Sequence, residues 1–185
     1  MASLALTALL LLLSTATAAV DPDRAAADDP DRQRLAKAIE GNDVEAMRAA
    51  VSALGSVDAP DADGLTGLHD AAAFGKPDCL VVLLQLGADV NRRGSSEEFT
   101  ALHLAAMYNH DEALAVLLAA AGVEIGATDK HGKTALHAAA ENGMAEAATT
   151  LLKAGVDLQA KDHGGKRAVE YVEFINSMHA FDCLR

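Results

Sequence analysis

A short pattern that recurs every 34 residues constrains the fold of this chain more than any other feature. The pattern occurs as Thr66-Gly67-Leu68-His69, Thr100-Ala101-Leu102-His103 and Thr134-Ala135-Leu136-His137. Each copy is followed by adjacent alanines, then by a Leu pair at the same step, and then by Gly87, Gly122 or Gly155. Repeats of this length each form one supersecondary unit, which buries its apolar face by stacking on its neighbours.

Within one unit, the residue types predict two short helices joined by a turn. Thr at the start of the pattern suits a helix N-cap, and the glycine after the Leu pair suits a left-handed C-cap. Gly75 and Gly143 fall at the turn between the two helices, and Pro77 suits a first helical turn. Aromatic residues make up only 3% of the chain and there is no Trp. The core must therefore be built from Ala, Leu and Val, of which Ala and Leu favour helices.

The period alone does not identify the repeat family, because tetratricopeptide units are of similar length. Those units carry a Trp in their first helix, which this chain lacks. The Thr-x-Leu-His-x-Ala-Ala signature and the sequence Leu-Gly-Ala-Asp-Val-Asn at 86–91 resemble the ankyrin repeat, over residues 62–161 with high specificity. The resemblance implies an all-α repeat solenoid of helix-loop-helix units with short β-hairpin-like connectors.

About five units account for most of the chain. We place them at 31–60, 61–94, 95–128, 129–161 and 162–185. The first and last are degenerate caps, because terminal units turn a polar face to water. In the last unit Arg167 and Glu170 replace the Thr and His. Residues 19–30 are predicted to be an acidic, solvated leader. Residues 1–18 have the apolar run and small-residue site of a cleaved secretory signal peptide. An uncleaved signal anchor is the alternative.

The connector of the third unit departs from the pattern. Ser95 and Glu98 stand where neighbouring connectors have Asp and Gly. We expect Gly94 to supply the flexibility that Glu98 lacks, which would change the shape of this hairpin. The two cysteines, Cys79 and Cys183, lie about three units apart in this register, so no disulfide between them is expected.

The three aligned histidines are the most conspicuous candidates for chemistry. Stacked helices are about 8–10 Å apart, which separates His69, His103 and His137 too far to share a metal ion. The family resemblance implies that they are structural, each hydrogen-bonding a hairpin backbone, and that Thr66, Thr100 and Thr134 belong to the same structural motif. No nucleophile elbow, phosphate loop or zinc motif is present. We therefore predict no enzyme activity, no metal and no cofactor.

Net charge limits the classes of partner. The formal charge of −12 argues against nucleic acid and anionic membranes, which require clustered Lys and Arg. It favours another protein as the partner, and a partner with a basic face would complement the charge. A monomer is expected.

The resemblance also implies a binding surface formed by the connector tips and the exposed positions of the first helices. The corresponding residues are Ala62, Asp63, Leu65, Ala73 and Phe74 in the second unit, Ser96, Glu97, Phe99, Met107 and Tyr108 in the third, and Lys130, His131, Lys133, Glu141 and Asn142 in the fourth. Half of the six aromatic residues are in this set, and aromatic residues are enriched among binding hot spots. Ordinary packing of these rings against the neighbouring units is the alternative.

Two functions follow from these features. The first is an exported, non-enzymatic binding module, secreted or periplasmic, which acts as an inhibitor, immunity or protective protein. The second is an intracellular or membrane-tethered adaptor. The apolar N-terminus favours the first, and the mostly intracellular habit of ankyrin proteins favours the second.

Overall fold

The computed structural model describes residues 29–171 of the chain. In this part of the chain eight helices form four successive pairs. They are α1 (Pro30–Glu40) with α2 (Val44–Leu54), α3 (Gly67–Ala73) with α4 (Pro77–Gln85), α5 (Ala101–Met107) with α6 (Asp111–Leu118), and α7 (Ala135–Glu141) with α8 (Ala145–Lys153). Residues 168–171 begin a further helix. The all-α repeat solenoid predicted from the sequence is confirmed.

The helix ends lie where the repeated residues predict them. The N-caps of α3, α5 and α7 are Thr66, Thr100 and Thr134, and Pro77 is the first residue of α4. Gly87, Gly122 and Gly155 follow the second helices with φ of 91°, 78° and 88°, a left-handed conformation that costs Gly little. The same local chemistry therefore starts and stops the helices in each unit.

The pairs stack so that helices of the same kind meet. First helices contact first helices along α1, α3, α5 and α7, and second helices contact second helices along α2, α4, α6 and α8. Small residues of the first helices, such as Ala72, Ala105 and Ala139, are fully buried and let the helices approach closely. Large aliphatic side chains fill the space between the two rows; they include Leu35, Met47, Leu83, Leu117 and Leu151.

The connectors between units are short hairpins. Isolated antiparallel bridges join Gly94 to Phe99, Thr128 to Thr134 and Lys161 to Arg167. No strand longer than such a bridge forms within residues 29–171. The hairpins therefore project one after another at the N-terminal ends of the first helices.

The N-terminal boundary of the stack differs from the prediction. Pro30 and Asp31 belong to α1, and the side chain of Asp29 accepts the N–H of Asp31 as its N-cap. Helix α1 thus begins at the last residue of the predicted leader 19–30, because Pro is well suited to a first helical turn. The predicted signal peptide, the rest of the leader, the end of the fifth unit and Cys183 lie outside the described residues. Cys79 is buried and free.

Candidate functional site

Three buried histidines link successive units through the backbone. In His69, His103 and His137 the ring Nδ1 accepts the N–H of the Thr three residues earlier, at 3.1 to 3.3 Å. The remaining ring nitrogen, Nε2, therefore carries the proton and donates a hydrogen bond to a carbonyl of the next connector. The acceptors are Phe99 at 3.0 Å, Lys133 at 3.0 Å and Lys166 at 3.1 Å. Burial lowers the pKa of His69 and of His103, which favours this neutral form.

The first unit has no such histidine, and Arg32 supplies the equivalent contact. Its Nη2 donates to the carbonyl of Leu65 at 3.1 Å, which is again the residue before the next N-cap. The same nitrogen lies 2.7 Å from Asp70 and 3.5 Å from Asp61. The approach to Asp70 is an ion pair without hydrogen-bond alignment, since Asp70 Oδ2 has no hydrogen-bond partner among the described residues. Arg32 is 4% exposed and so joins the first unit to the second.

The fifth unit uses a carboxylate in place of the ring. Arg167 stands at the N-cap position, and its N–H and Nε both approach Glu170 Oε1, at 3.4 and 2.9 Å. Glu170 is three residues into the unit, as each histidine is. The two residues that made this unit look degenerate therefore reproduce the local arrangement, although without a buried ring.

The third connector keeps a left-handed residue where its neighbours have glycine. Glu98 has φ of 59° at the position of Gly64 and Gly132. The prediction that Gly94 would supply this freedom was wrong, because its φ is not left-handed. A Cβ at Gly94 would instead lie 2.9 Å from the carbonyl of Gly64, so glycine is required there by close approach. The hairpin bond runs from Gly94 N to Phe99 O, one residue longer than the bond from Asp129 N to Lys133 O.

Polar contacts tie the tips of the third, fourth and fifth connectors together. The backbone N–H of Lys130 donates to the carbonyl of Glu97 at 3.0 Å, and the N–H of His163 donates to the carbonyl of His131 at 2.9 Å. The Glu97 carboxylate also contacts Lys130 Nζ at 2.5 Å and His131 Nε2 at 3.1 Å. Hydrogen bonding to Lys130 holds the pKa of Glu97 below its usual value. The tips therefore form one continuous row.

Two aromatic side chains project from equivalent places at the other end of the first helices. Phe74 is the C-cap of α3 and Tyr108 is the C-cap of α5. Their exposed fractions are 45% and 53%, so about half of each residue remains in contact with solvent. Phe99 differs from them, since it is partly buried, packs against the core and lies 6.0 Å from the His103 ring. Packing therefore accounts for Phe99 and leaves Phe74 and Tyr108 without a covering element among the described residues.

A cluster of two lysines and one tyrosine lies on the fourth and fifth units. Lys133 Nζ lies 5.1 Å and Lys166 Nζ 5.5 Å from the centroid of the Tyr171 ring, within the range of cation–π attraction. The phenol donates a hydrogen bond to Asp162. Burial, with Asp162 second, raises the pKa of Tyr171, so the ring keeps its proton and its donor role. Lys133 also bonds both oxygens of Glu141, at 2.9 and 2.7 Å.

No side chain predicted for the binding surface is buried. Those partly exposed are Leu65, Ala73, Glu97, Phe99, Met107 and Lys133, and those exposed are Ala62, Asp63, Phe74, Ser96, Tyr108, Lys130, His131, Glu141 and Asn142. The sequence reasoning missed Arg32, Lys166 and Tyr171. The repeat pattern could have identified Lys166. It directly precedes the N-cap residue of its unit, as the predicted surface residues Leu65, Phe99 and Lys133 do in theirs.

The described part of the chain lacks the features of two other kinds of site. Among residues 29–171, no three His, Cys, Asp or Glu side chains are grouped in a way that would hold a metal ion. Over the same range, no helix has the length and apolar character that crossing a bilayer requires.

Comparison with known proteins gives matches in the region of the stacked pairs. One family model, for three ankyrin repeats, matches residues 92–162, and a second, for many ankyrin repeats, matches residues 68–110. Human ankyrin repeat and SOCS box protein 6 is 36% identical over 116 residues, and the protein of the same name from Pongo abelii gives the same figures. These alignments cover 60% of this chain and 28% of each relative; the chain thus spans under a third of the relatives' length. Because the family matches together cover just over half of the chain and coincide with its helix pairs, the chain belongs to the ankyrin-repeat family, whose repeats mediate binding between proteins.

Proposed function

We propose that this chain is an exported, non-enzymatic module that binds a partner protein through its connector tips and first helices. The observation that carries the proposal is the exposure of Phe74 and Tyr108 at equivalent positions of neighbouring units. Large rings gain free energy when they leave water, and Tyr is enriched among interface hot spots. Two such rings one repeat apart offer a partner an apolar anchor on the second and third units.

Removal of the two exposed rings should weaken partner binding much more than it lowers the stability of the fold. A fully buried Phe costs about 3–5 kcal/mol when truncated to Ala, whereas a ring that is half exposed loses much less buried area. We expect Phe74→Ala with Tyr108→Ala to lower the free energy of unfolding by under about 1 kcal/mol per site. The same double variant should lose its partner in affinity capture from the cell or compartment of origin. Urea unfolding followed by circular dichroism measures the first effect, and quantitative mass spectrometry measures the second.

A matched control comes from the second helices. Val81 and Leu152 are 40% and 41% exposed, and their double Ala variant removes apolar surface from the opposite row. This control should keep the partner that the Phe74/Tyr108 variant loses. Loss of several kcal/mol in the Phe74/Tyr108 variant would assign the rings to packing. If that variant keeps the partner, this surface is not the binding site.

Export rests on residues 1–18, whose apolar run and Ala-x-Ala site are typical of a cleaved secretory signal. Within that setting an inhibitor, immunity or protective role suits a small binding module with no catalytic motif. The second candidate is an intracellular or membrane-tethered adaptor, which the usual setting of ankyrin proteins favours. N-terminal sequencing of the protein from its native host separates the two. A start near Ala19 supports export, and an intact Met1 contradicts cleavage.

A further inference from the structure

We propose that the partner presents an extended segment whose apolar side chain lies on the second and third units and whose carboxylate side chains lie on the fourth and fifth. This inference rests on the proposed function, since it describes what the same surface selects. It follows from the way charge is distributed along the row of connectors, and from the lysine–tyrosine cluster at one end of that row.

The charge of the connectors changes sign along the stack. The tip of the second connector carries Asp61 and Asp63. The third connector carries both signs, because Arg93 pairs with Glu98, and its Glu97 pairs with Lys130 of the next connector. On the fourth and fifth connectors the basic residues Lys130, Lys133 and Lys166 outnumber the carboxylates Asp129 and Asp162. A bound acidic side chain is therefore disfavoured at the second connector and favoured at the fourth and fifth.

One ammonium group of the lysine–tyrosine cluster makes no ion pair within residues 29–171. Lys133 is paired with Glu141, while Lys166 pairs with no carboxylate among residues 29–171. Asp162 carries a negative charge nearby, but its oxygens accept the backbone N–H of Lys166 and the phenol of Tyr171, and it forms no ion pair with Lys166 Nζ. Both ammonium groups share the Tyr171 ring, so each repels the other. An incoming carboxylate would relieve that repulsion and complete the pairing of Lys166.

The negative charge of the whole chain does not prevent this binding. The sequence suggested a partner with a basic face because the formal charge is −12. At physiological ionic strength, however, charges more than about 8 Å apart are largely screened. A side chain that binds at the fifth connector therefore responds mainly to the charges of this cluster, in which Lys166 is the group available for a new ion pair. Local charge, and not the total, determines which residue is accepted there.

The geometry of the stack also sets the spacing in the partner. Adjacent units are separated by roughly 8–10 Å, so the aromatic anchor and the lysines lie roughly 10–20 Å apart. An extended chain rises about 3.3 Å per residue, which makes that span about three to six residues. The acidic group should lie toward the end of the segment that covers the fifth unit.

The test begins with a random peptide library displayed on phage and selected on the purified chain. Enriched peptides are expected to contain an aromatic or long aliphatic residue with Asp or Glu about three to six positions away. The best of them is then made synthetically with a fluorescent label, and its Kd is measured by anisotropy. Lys166→Glu should raise that Kd about tenfold, which is the scale expected when a partly exposed pair becomes a repulsion.

Lys153→Glu is the matched control, because it makes the same charge change at an exposed site in the last turn of α8. It should leave Kd unchanged. Enriched peptides without acidic residues, or equal effects of the two Glu variants, would overturn this inference. The proposed function would survive that result if Phe74→Ala with Tyr108→Ala still weakened the peptide. If the peptides bind this double variant as tightly as they bind the parent chain, both this inference and the proposed function are contradicted. If no peptide is enriched, the inference of a linear segment is overturned.

Discussion

Replacement of Arg32 by Met tests whether the first unit is fixed to the second by one buried cation. The guanidinium donates to the Leu65 carbonyl and pairs with Asp70 at 2.7 Å, and its side chain is 5% exposed. Met has a similar length and fills the same space without charge. The variant therefore leaves the Asp70 carboxylate and the Leu65 carbonyl without their cation, while changing the packing little.

The expected loss is large relative to the stability of a domain of this size. Removing one member of a buried ion pair typically costs about 3–5 kcal/mol, because the other charge remains buried and uncompensated. Asp70 is 14% exposed, which places this pair at about 3 kcal/mol near neutral pH. A domain has about 5–15 kcal/mol in total. The double variant Arg32→Met with Asp70→Ala should recover most of the loss, since an apolar replacement of both members is often nearly neutral.

The loss should also depend on pH. Burial raises the pKa of the Asp70 carboxyl, and Arg32 opposes that rise, so removing Arg32 lets the pKa climb further. A carboxyl whose pKa is raised by folding binds its proton more tightly when folded, so the variant regains stability as the pH falls toward the ordinary Asp value. Urea unfolding at about pH 7.5 and about pH 4.5 should give a larger difference from the parent at the higher pH. A loss that is the same at both values, or additive losses in the two single variants, would refute the reasoning.

Three further perturbations follow from the connectors and the histidines. Glu98→Gly should raise the free energy of unfolding by about 1 kcal/mol, because the left-handed φ of 59° strains a residue with a Cβ; an unchanged urea midpoint would contradict this. His103→Ala should lower it by about 3 kcal/mol, since the ring is fully buried and its loss leaves the N–H of Thr100 and the carbonyl of Lys133 unpaired; Ala at the exposed His131 is the control and should have little effect. Burial lowers the pKa of His69 and His103, so the unfolded chain binds protons more readily, and stability should fall as pH drops below about 6.5. His103→Gln should make that pH dependence shallower, and an unchanged slope would show that His103 does not titrate on unfolding.

The fold could be predicted from the sequence because its determinants are local and repeated. The Thr that caps each first helix and the Gly that ends each second helix act within a few residues of themselves. Their recurrence at a fixed step then implies stacking. The same recurrence placed Phe74 and Tyr108 at equivalent positions, and both are exposed.

Other features depend on contacts that no local pattern encodes. Arg32 reaches a carbonyl that is 33 residues away, and nothing around it in the sequence distinguishes it from an exposed arginine. Lys133 and Lys166 meet at Tyr171 only because two connectors and a helix start are brought together. Glu98 adopts its left-handed φ inside the hairpin that the Gly94 N–H and the Phe99 carbonyl close, against the preference of the residue itself.

The bridges between units have a consequence for how such a chain can diversify. The acceptors of the bridging side chains are the main-chain carbonyls of Leu65, Phe99, Lys133 and Lys166. These four residues differ in size and charge, and the side chains of Leu65, Lys133 and Lys166 belong to the surface proposed to meet the partner. A carbonyl oxygen is the same for every amino acid. Residues that determine recognition can therefore be replaced without weakening the hydrogen bonds between units. A new specificity then need not lower the stability of the stack.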